Sequence, residues 1–97
     1  MSNDLEELRT KIDAIDIQLV ELLAQRFQVT EQVGILKSKS GTPPQDLERE
    51  AKQFEKLTVL AMQAGVDPEA IQAIWRTIID EVIKRHQQIQ AEENAKN

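Results

Sequence analysis

A chain of 97 residues has the size of one domain, and 40% hydrophobic residues with only Phe27, Phe54 and Trp75 as aromatics suit a core of packed aliphatic helices. The absence of cysteine excludes disulfides and thiolate chemistry and points to a reducing, cytoplasmic setting. A net charge of -5 and a pI of about 4.8 argue against a nucleic-acid partner, and no apolar run approaches a signal peptide's core or the ~20 residues that span a membrane.

The first segment opens on capping residues. Ser2, Asn3 and Asp4 are each candidate N-caps, and Asn3 has Glu6 at capping-box spacing. Apolar residues then recur at Leu5, Leu8, Ile12, Ile15, Leu19, Leu22, Val29, Val33 and Leu36, in alternating steps of three and four. This pattern predicts one helix over about 4–39, uninterrupted by Gly or Pro until Gly34. Gly41-Thr42-Pro43-Pro44 stops it.

A second helix is expected over 46–64. Asp46 is its N-cap, and its apolar stripe is Leu47, Ala51, Phe54, Leu57, Leu60, Ala61 and Ala64, with Gly65 as terminator. The third, over 68–90, opens on Asp67-Pro68-Glu69, a cap followed by proline at the first helical position. Its stripe is Ile71, Ile74, Trp75, Ile78, Ile79, Val82 and Ile89. The polar stretch 91–97 is expected to fray.

These lengths set the architecture: all-α, one very long N-terminal helix and two shorter ones. A helix of about 35 residues spans roughly 50 Å, against a radius of gyration of about 13 Å for a domain of this size. Two shorter helices cannot cover such a seam. The remainder is expected to meet a second copy in an intertwined homodimer.

The chemistry-bearing residues are charges set among apolar ones. Arg26 falls on the seam between Leu22 and Val29, the line expected to be buried. It is either a structural ion pair, a snorkelling side chain at a dimer edge, or a ligand-binding cation. Lys37 lies eleven residues on, at nearly the same angle and about 16 Å along the axis. The pair can grip an anion, although Lys37 and Lys39 also read as a solvated helix end. Arg9 is about 25 Å from Arg26 along the same axis, so the two reach one small ligand only from two antiparallel copies.

Asp46, Arg49 and Glu50 cluster at the start of the second helix. They are either a cap with exposed charges or a mixed cluster for a carboxylate and a hydroxyl. His86, the only histidine, extends the third helix's apolar face through Ile79 and Val82, as a hydrogen-bonded core residue or a site residue. No metalloprotease motif, glycine-rich phosphate loop or Ser-His-Asp set is present, so the chemistry rests on positioning and charge.

Leu8-Arg9, Ile12-Asp13, Ile15-Asp16, Leu22-Leu23, Arg26, Val33, Lys37, Pro43, Asp46 and Arg49-Glu50-Ala51 together resemble the all-helical class of chorismate mutase, over residues 4–90. The resemblance implies a homodimer with two sites, each lined by both chains. It implies a Claisen rearrangement of chorismate to prephenate, which serves phenylalanine and tyrosine biosynthesis and needs no cofactor or metal. Arg26, Lys37, Arg49 and Glu50 then align with site residues of one protomer, and Arg9 with an arginine supplied by the other. Arg9 and Arg26, supported by Arg49, would clamp the two carboxylates. Lys37 would donate to the ether oxygen as charge develops there. Glu50 and Asp46 would hold the ring hydroxyl.

The sequence departs from this family in the third helix. The glutamine that usually joins the lysine at the ether oxygen is His86 here, and the serine four residues earlier is Val82. The expectation is that His86 takes the glutamine's role by donating an N–H, more strongly when protonated. The same clamp suits an isochorismate pyruvate lyase or a mutase of amino-chorismate. A non-catalytic dimerisation module is the alternative of another class, and cations on the seam argue against it.

Overall fold

The computed structural model describes residues 3–96, and among these every regular element is helical. α1 spans Asp4–Ser40, α2 Leu47–Ala64 and α3 Pro68–Ala95. The chain divides into two compact units, Met1–Thr30 and Glu31–Asn97.

The first unit is the N-terminal part of α1. Asn3 is its cap: its carbonyl accepts the first helical bond from Glu7 N at 2.8 Å. Ser2, another candidate cap, lies outside the described residues. Asp4, Glu6 and Glu7 place negative charge at the positive end of the helix dipole. The seam does not bury itself. Leu5, Leu8, Ile12, Ile15, Leu19 and Leu22 each keep more than half of their surface open, and Gly34 is the only buried residue in all of α1.

The second unit contains the core. α1 ends where Gly41 turns left-handed at φ 70°, and Thr42 N bonds back to the Lys37 carbonyl at 2.9 Å. Asp46 caps α2: its Oδ1 accepts from Arg49 N at 3.0 Å. Gly65, at φ 73°, closes α2 in the same way as Gly41 closes α1, with Val66 N bonding to the Ala61 carbonyl at 2.8 Å. Asp67 and Pro68 then start α3, as their spacing predicts. The three-residue connection, Gly65 to Asp67, makes α2 and α3 antiparallel neighbours. Gln72 reaches Thr58 at 3.1 Å and Arg76 reaches Glu50 at 2.8 Å, so α3 runs back along α2.

Leu57, Ala61, Ile78, Ile79 and Ile89 are buried between these elements. The predicted stripes are wider than this core. Leu47, Leu60 and Ile74 are more than half exposed, because one neighbouring helix covers only part of an apolar face. The stretch expected to fray beyond residue 90 is helical up to Ala95. Gln90 Nε2 donates to the Thr42 carbonyl at 2.7 Å and Arg85 pairs with Glu92 at 3.6 Å, which hold the last turns of a sequence rich in good helix formers. Asn97 lies outside the described residues. Among the described residues no helix is long and apolar enough to cross a membrane.

Candidate functional site

The candidate residues fall into both units. In the first, Arg9 is exposed and Arg26 is half-buried. One unbroken helix carries both and keeps them about 25 Å apart.

The second unit holds the others. Lys37, in the last turn of α1, is half-buried, and its Nζ donates to the Pro44 carbonyl at 3.3 Å. The turn at Gly41 folds the connection back over α1 and so brings this carbonyl within reach. The same connection is tied to α3 through Gln90 and Thr42.

At the start of α2, Asp46 and Glu50 lie one turn apart on the same side. Asp46 uses its Oδ1 for its cap, and Arg49 is exposed. Glu50 is 9% exposed, a depth at which a carboxylate needs partners. It has two. Arg76 Nη1 donates to its Oε1 at 2.8 Å and Gln45 Nε2 to its Oε2 at 3.2 Å. Arg76 is itself fixed by Asp80, whose Oδ1 lies 2.9 Å from Nε and 2.7 Å from Nη2, and it stacks 5.7 Å above the Phe54 ring. Glu50 first, then Asp80, raises the affinity of the Arg76 guanidinium for its proton.

His86 is 3% exposed and packs on the C-terminal part of α1. The contact depends on Gly34. A Cβ at that position would stand 2.5 Å from His86 Cδ2 and 2.9 Å from both His86 Nε2 and Ile89 Cδ1. Beside it, Arg85 grips Glu31 in a forked pair, Nη2 to Oε1 at 2.6 Å and Nε to Oε2 at 2.9 Å. Hydrogen bonding from Arg85 holds the Glu31 carboxyl below its ordinary value against a smaller desolvation effect, and the nearby charges of Arg85 and His86 add to the lowering. Val82, one turn before His86, is half-buried.

Thus Lys37, Asp46, Arg49, Glu50, Val82 and His86 belong to one unit, and Arg9 and Arg26 to the other. Sequence reasoning missed the residues that hold these in place. Gly34 carried a signal, since a glycine inside an unbroken helical pattern needs a close approach to justify it. Arg76 and Gln45 carried none, because nothing in the pattern links them to Glu50.

Comparison with known proteins supplies the family. Residues 8–87, more than four fifths of the chain, match the family model for chorismate mutase type II. A bifunctional chorismate mutase/prephenate dehydratase of Aquifex aeolicus is 37% identical over 89% of this chain, and a T-protein of Enterobacter agglomerans is 36% identical over 84%. The chain spans about a quarter of the length of these two relatives, 25% and 22%. A chorismate mutase of Methanocaldococcus jannaschii is 31% identical over 82% of this chain and 81% of its own length. The match takes in both the long α1 and the α2–α3 pair with its charged cluster, and on that evidence the chain belongs to the chorismate mutase type II family.

Proposed function

We propose that this chain is a cytoplasmic enzyme that rearranges chorismate to prephenate on the way to phenylalanine and tyrosine. It works as a single domain over residues 1–97, as an intertwined homodimer, without cofactor, nucleic acid or membrane. The observation that carries the reading is the extent of the family match: residues 8–87 include every candidate from Arg9 to His86.

What a single chain leaves open supports the dimer. The first unit exposes its whole apolar stripe. The second exposes an apolar groove of about 210 Å³ lined by Leu57, Leu60, Ala64, Val66, Ile71 and Trp75. A second copy brings a stripe to each groove and buries both. It also brings Arg9 of the partner subunit to a site that one α1 cannot complete.

The reaction is pericyclic and needs no base or nucleophile. Arg26 and Arg9 of the partner subunit, with Arg49, clamp the two carboxylates and select the folded, reactive conformer, which removes entropic cost from the barrier. Lys37 leaves the Pro44 carbonyl and donates to the ether oxygen as the C–O bond breaks. A donor of this kind in a dry site contributes roughly 3–4 kcal/mol. Glu50 and Asp46 receive the ring hydroxyl. His86, with Val82 beneath it, stands where the family usually has a glutamine, and donates the second N–H to the ether oxygen.

The test is direct. Purified protein is mixed with chorismate at mildly acidic and neutral pH, the loss of its ultraviolet absorbance is followed, and the product is identified. Prephenate above the uncatalysed rate is expected. One observation favours a second reading: His86 and Val82 differ from the usual pair, so isochorismate is the next substrate, with pyruvate as the diagnostic product.

A further inference from the structure

Glu50 is placed to receive a polar substituent of the substrate ring, but a bare carboxylate is indifferent to what it receives. It accepts from a hydroxyl, and it pairs more strongly with an ammonium. The structure shows that Glu50 is not bare. Arg76 lies 2.8 Å from its Oε1, across from α3, and Gln45 is 3.2 Å from its Oε2. Each carboxylate oxygen keeps a second lone pair for a ligand. The charge is another matter, because the guanidinium already offsets it. Asp80, on the far side of Arg76, draws the guanidinium partly away and fixes its orientation.

We propose that Arg76 is a specificity-determining positioning residue: by orienting Glu50 and offsetting its charge, it makes this position select a neutral hydroxyl over an ammonium. The inference rests on the reading above that Glu50 receives the ring substituent. It goes beyond that reading in naming which ring substituent is accepted and what rejects the other. Arg76 does not touch the reacting atoms and acts only through Glu50. An amine at that ring position is an ammonium near neutral pH, and it meets a paired carboxylate with a guanidinium behind it.

The experiment compares kcat/KM for chorismate and for its analogue with an amino group in place of the ring hydroxyl. The proteins are the unaltered chain, Arg76→Gln, Arg76→Lys and Asp80→Asn. Arg76 and Asp80 side chains are 41% and 62% exposed, so none of these changes opens a cavity, and melting followed by circular dichroism checks that each folds. Arg76→Gln keeps a donor to Glu50 but removes the charge, and the preference for chorismate is expected to fall by about tenfold. Arg76→Lys keeps the charge and should retain most of the preference. Asp80→Asn strips the guanidinium of its other anion, and the preference should rise by about twofold. If Arg76→Gln lowers kcat/KM for both substrates equally, or if Arg76→Lys loses the preference as fully as Arg76→Gln, Arg76 is a strut and the proposal is overturned while the mutase reading stands. If the unaltered chain makes no prephenate, the mutase reading falls and takes this inference with it.

Discussion

The two units of this chain solve the same problem in opposite ways. Both are built from amphipathic helix. The unit over residues 31–97 covers part of its apolar face with its own elements, burying Leu57, Ala61, Ile78, Ile79 and Ile89, and ties them together by Arg76–Glu50, Arg85–Glu31 and Gln90–Thr42. The unit over residues 1–30 carries an apolar stripe at the three-and-four spacing of Leu5 to Leu22, and leaves that stripe open. Regularity of pattern therefore says where an apolar face lies and nothing about what covers it. A face left open on a helix this long is what the proposed dimer would cover.

The sharpest way to break this contrast is to charge the open stripe. Ile12→Asp would leave an isolated surface helix almost unaffected. In a dimer it buries an unpaired carboxylate, at a cost of about 3–5 kcal/mol. Loss of the dimer by sedimentation and a melting temperature that no longer rises with protein concentration are expected. A monomeric unaltered chain with the same melting curve as the variant would end the argument for an interface.

Within the second unit, Lys37→Met removes the proposed ether-oxygen donor while leaving the fold. A fall of about 10²–10³ in kcat on chorismate, with circular dichroism unchanged, is the predicted result. A fall below tenfold would leave Lys37 as nothing more than a hydrogen bond to the Pro44 carbonyl.

Gly34→Ala tests how tightly the second unit closes. The added methyl meets His86 and Ile89 at 2.5–2.9 Å, and denaturant unfolding should report a loss of about 1–3 kcal/mol. His86→Ala opens room for that methyl, so the double variant should lose less than the two single losses combined. Simple additivity would mean that the ring does not rest on Gly34.

The smallest effect concerns the Glu31–Arg85 fork. Arg85 holds the Glu31 carboxyl below its ordinary 4.5, so the pair's contribution is complete above that value and is lost as pH falls through the lowered one. The side chains are 36% and 43% exposed, which screens the pair. Glu31→Gln should therefore change stability slightly at neutral pH and flatten the acid limb of the stability curve. An identical acid limb in both proteins would show that the fork contributes nothing in solution.

Much of the fold was legible because it is written in short-range interactions. Asp46, Gly65 and Asp67-Pro68 act within one turn of their own positions, and they start or stop helices where their chemistry says they must. The end of α3 was not legible, because Gln90 reaches Thr42, 48 residues earlier. The same division runs through the candidate site. Lys37 and His86 could be picked out as polar groups in line with apolar faces, and Glu50 by its cluster with Asp46 and Arg49. Their supports could not, since Arg76 is 26 residues from Glu50 and Gly34 is 52 from His86.

The sequence by itself determined three helices, their caps, one overlong apolar seam and a set of charges that resemble a known clamp, all of which depend on spacings of a few residues. Only the tertiary structure decided that Glu50 is buried against Arg76, that His86 rests on a glycine, and that the seam of α1 stays open within one chain. Those outcomes depend on how helices distant in sequence are laid side by side, and on how much apolar surface 97 residues can cover.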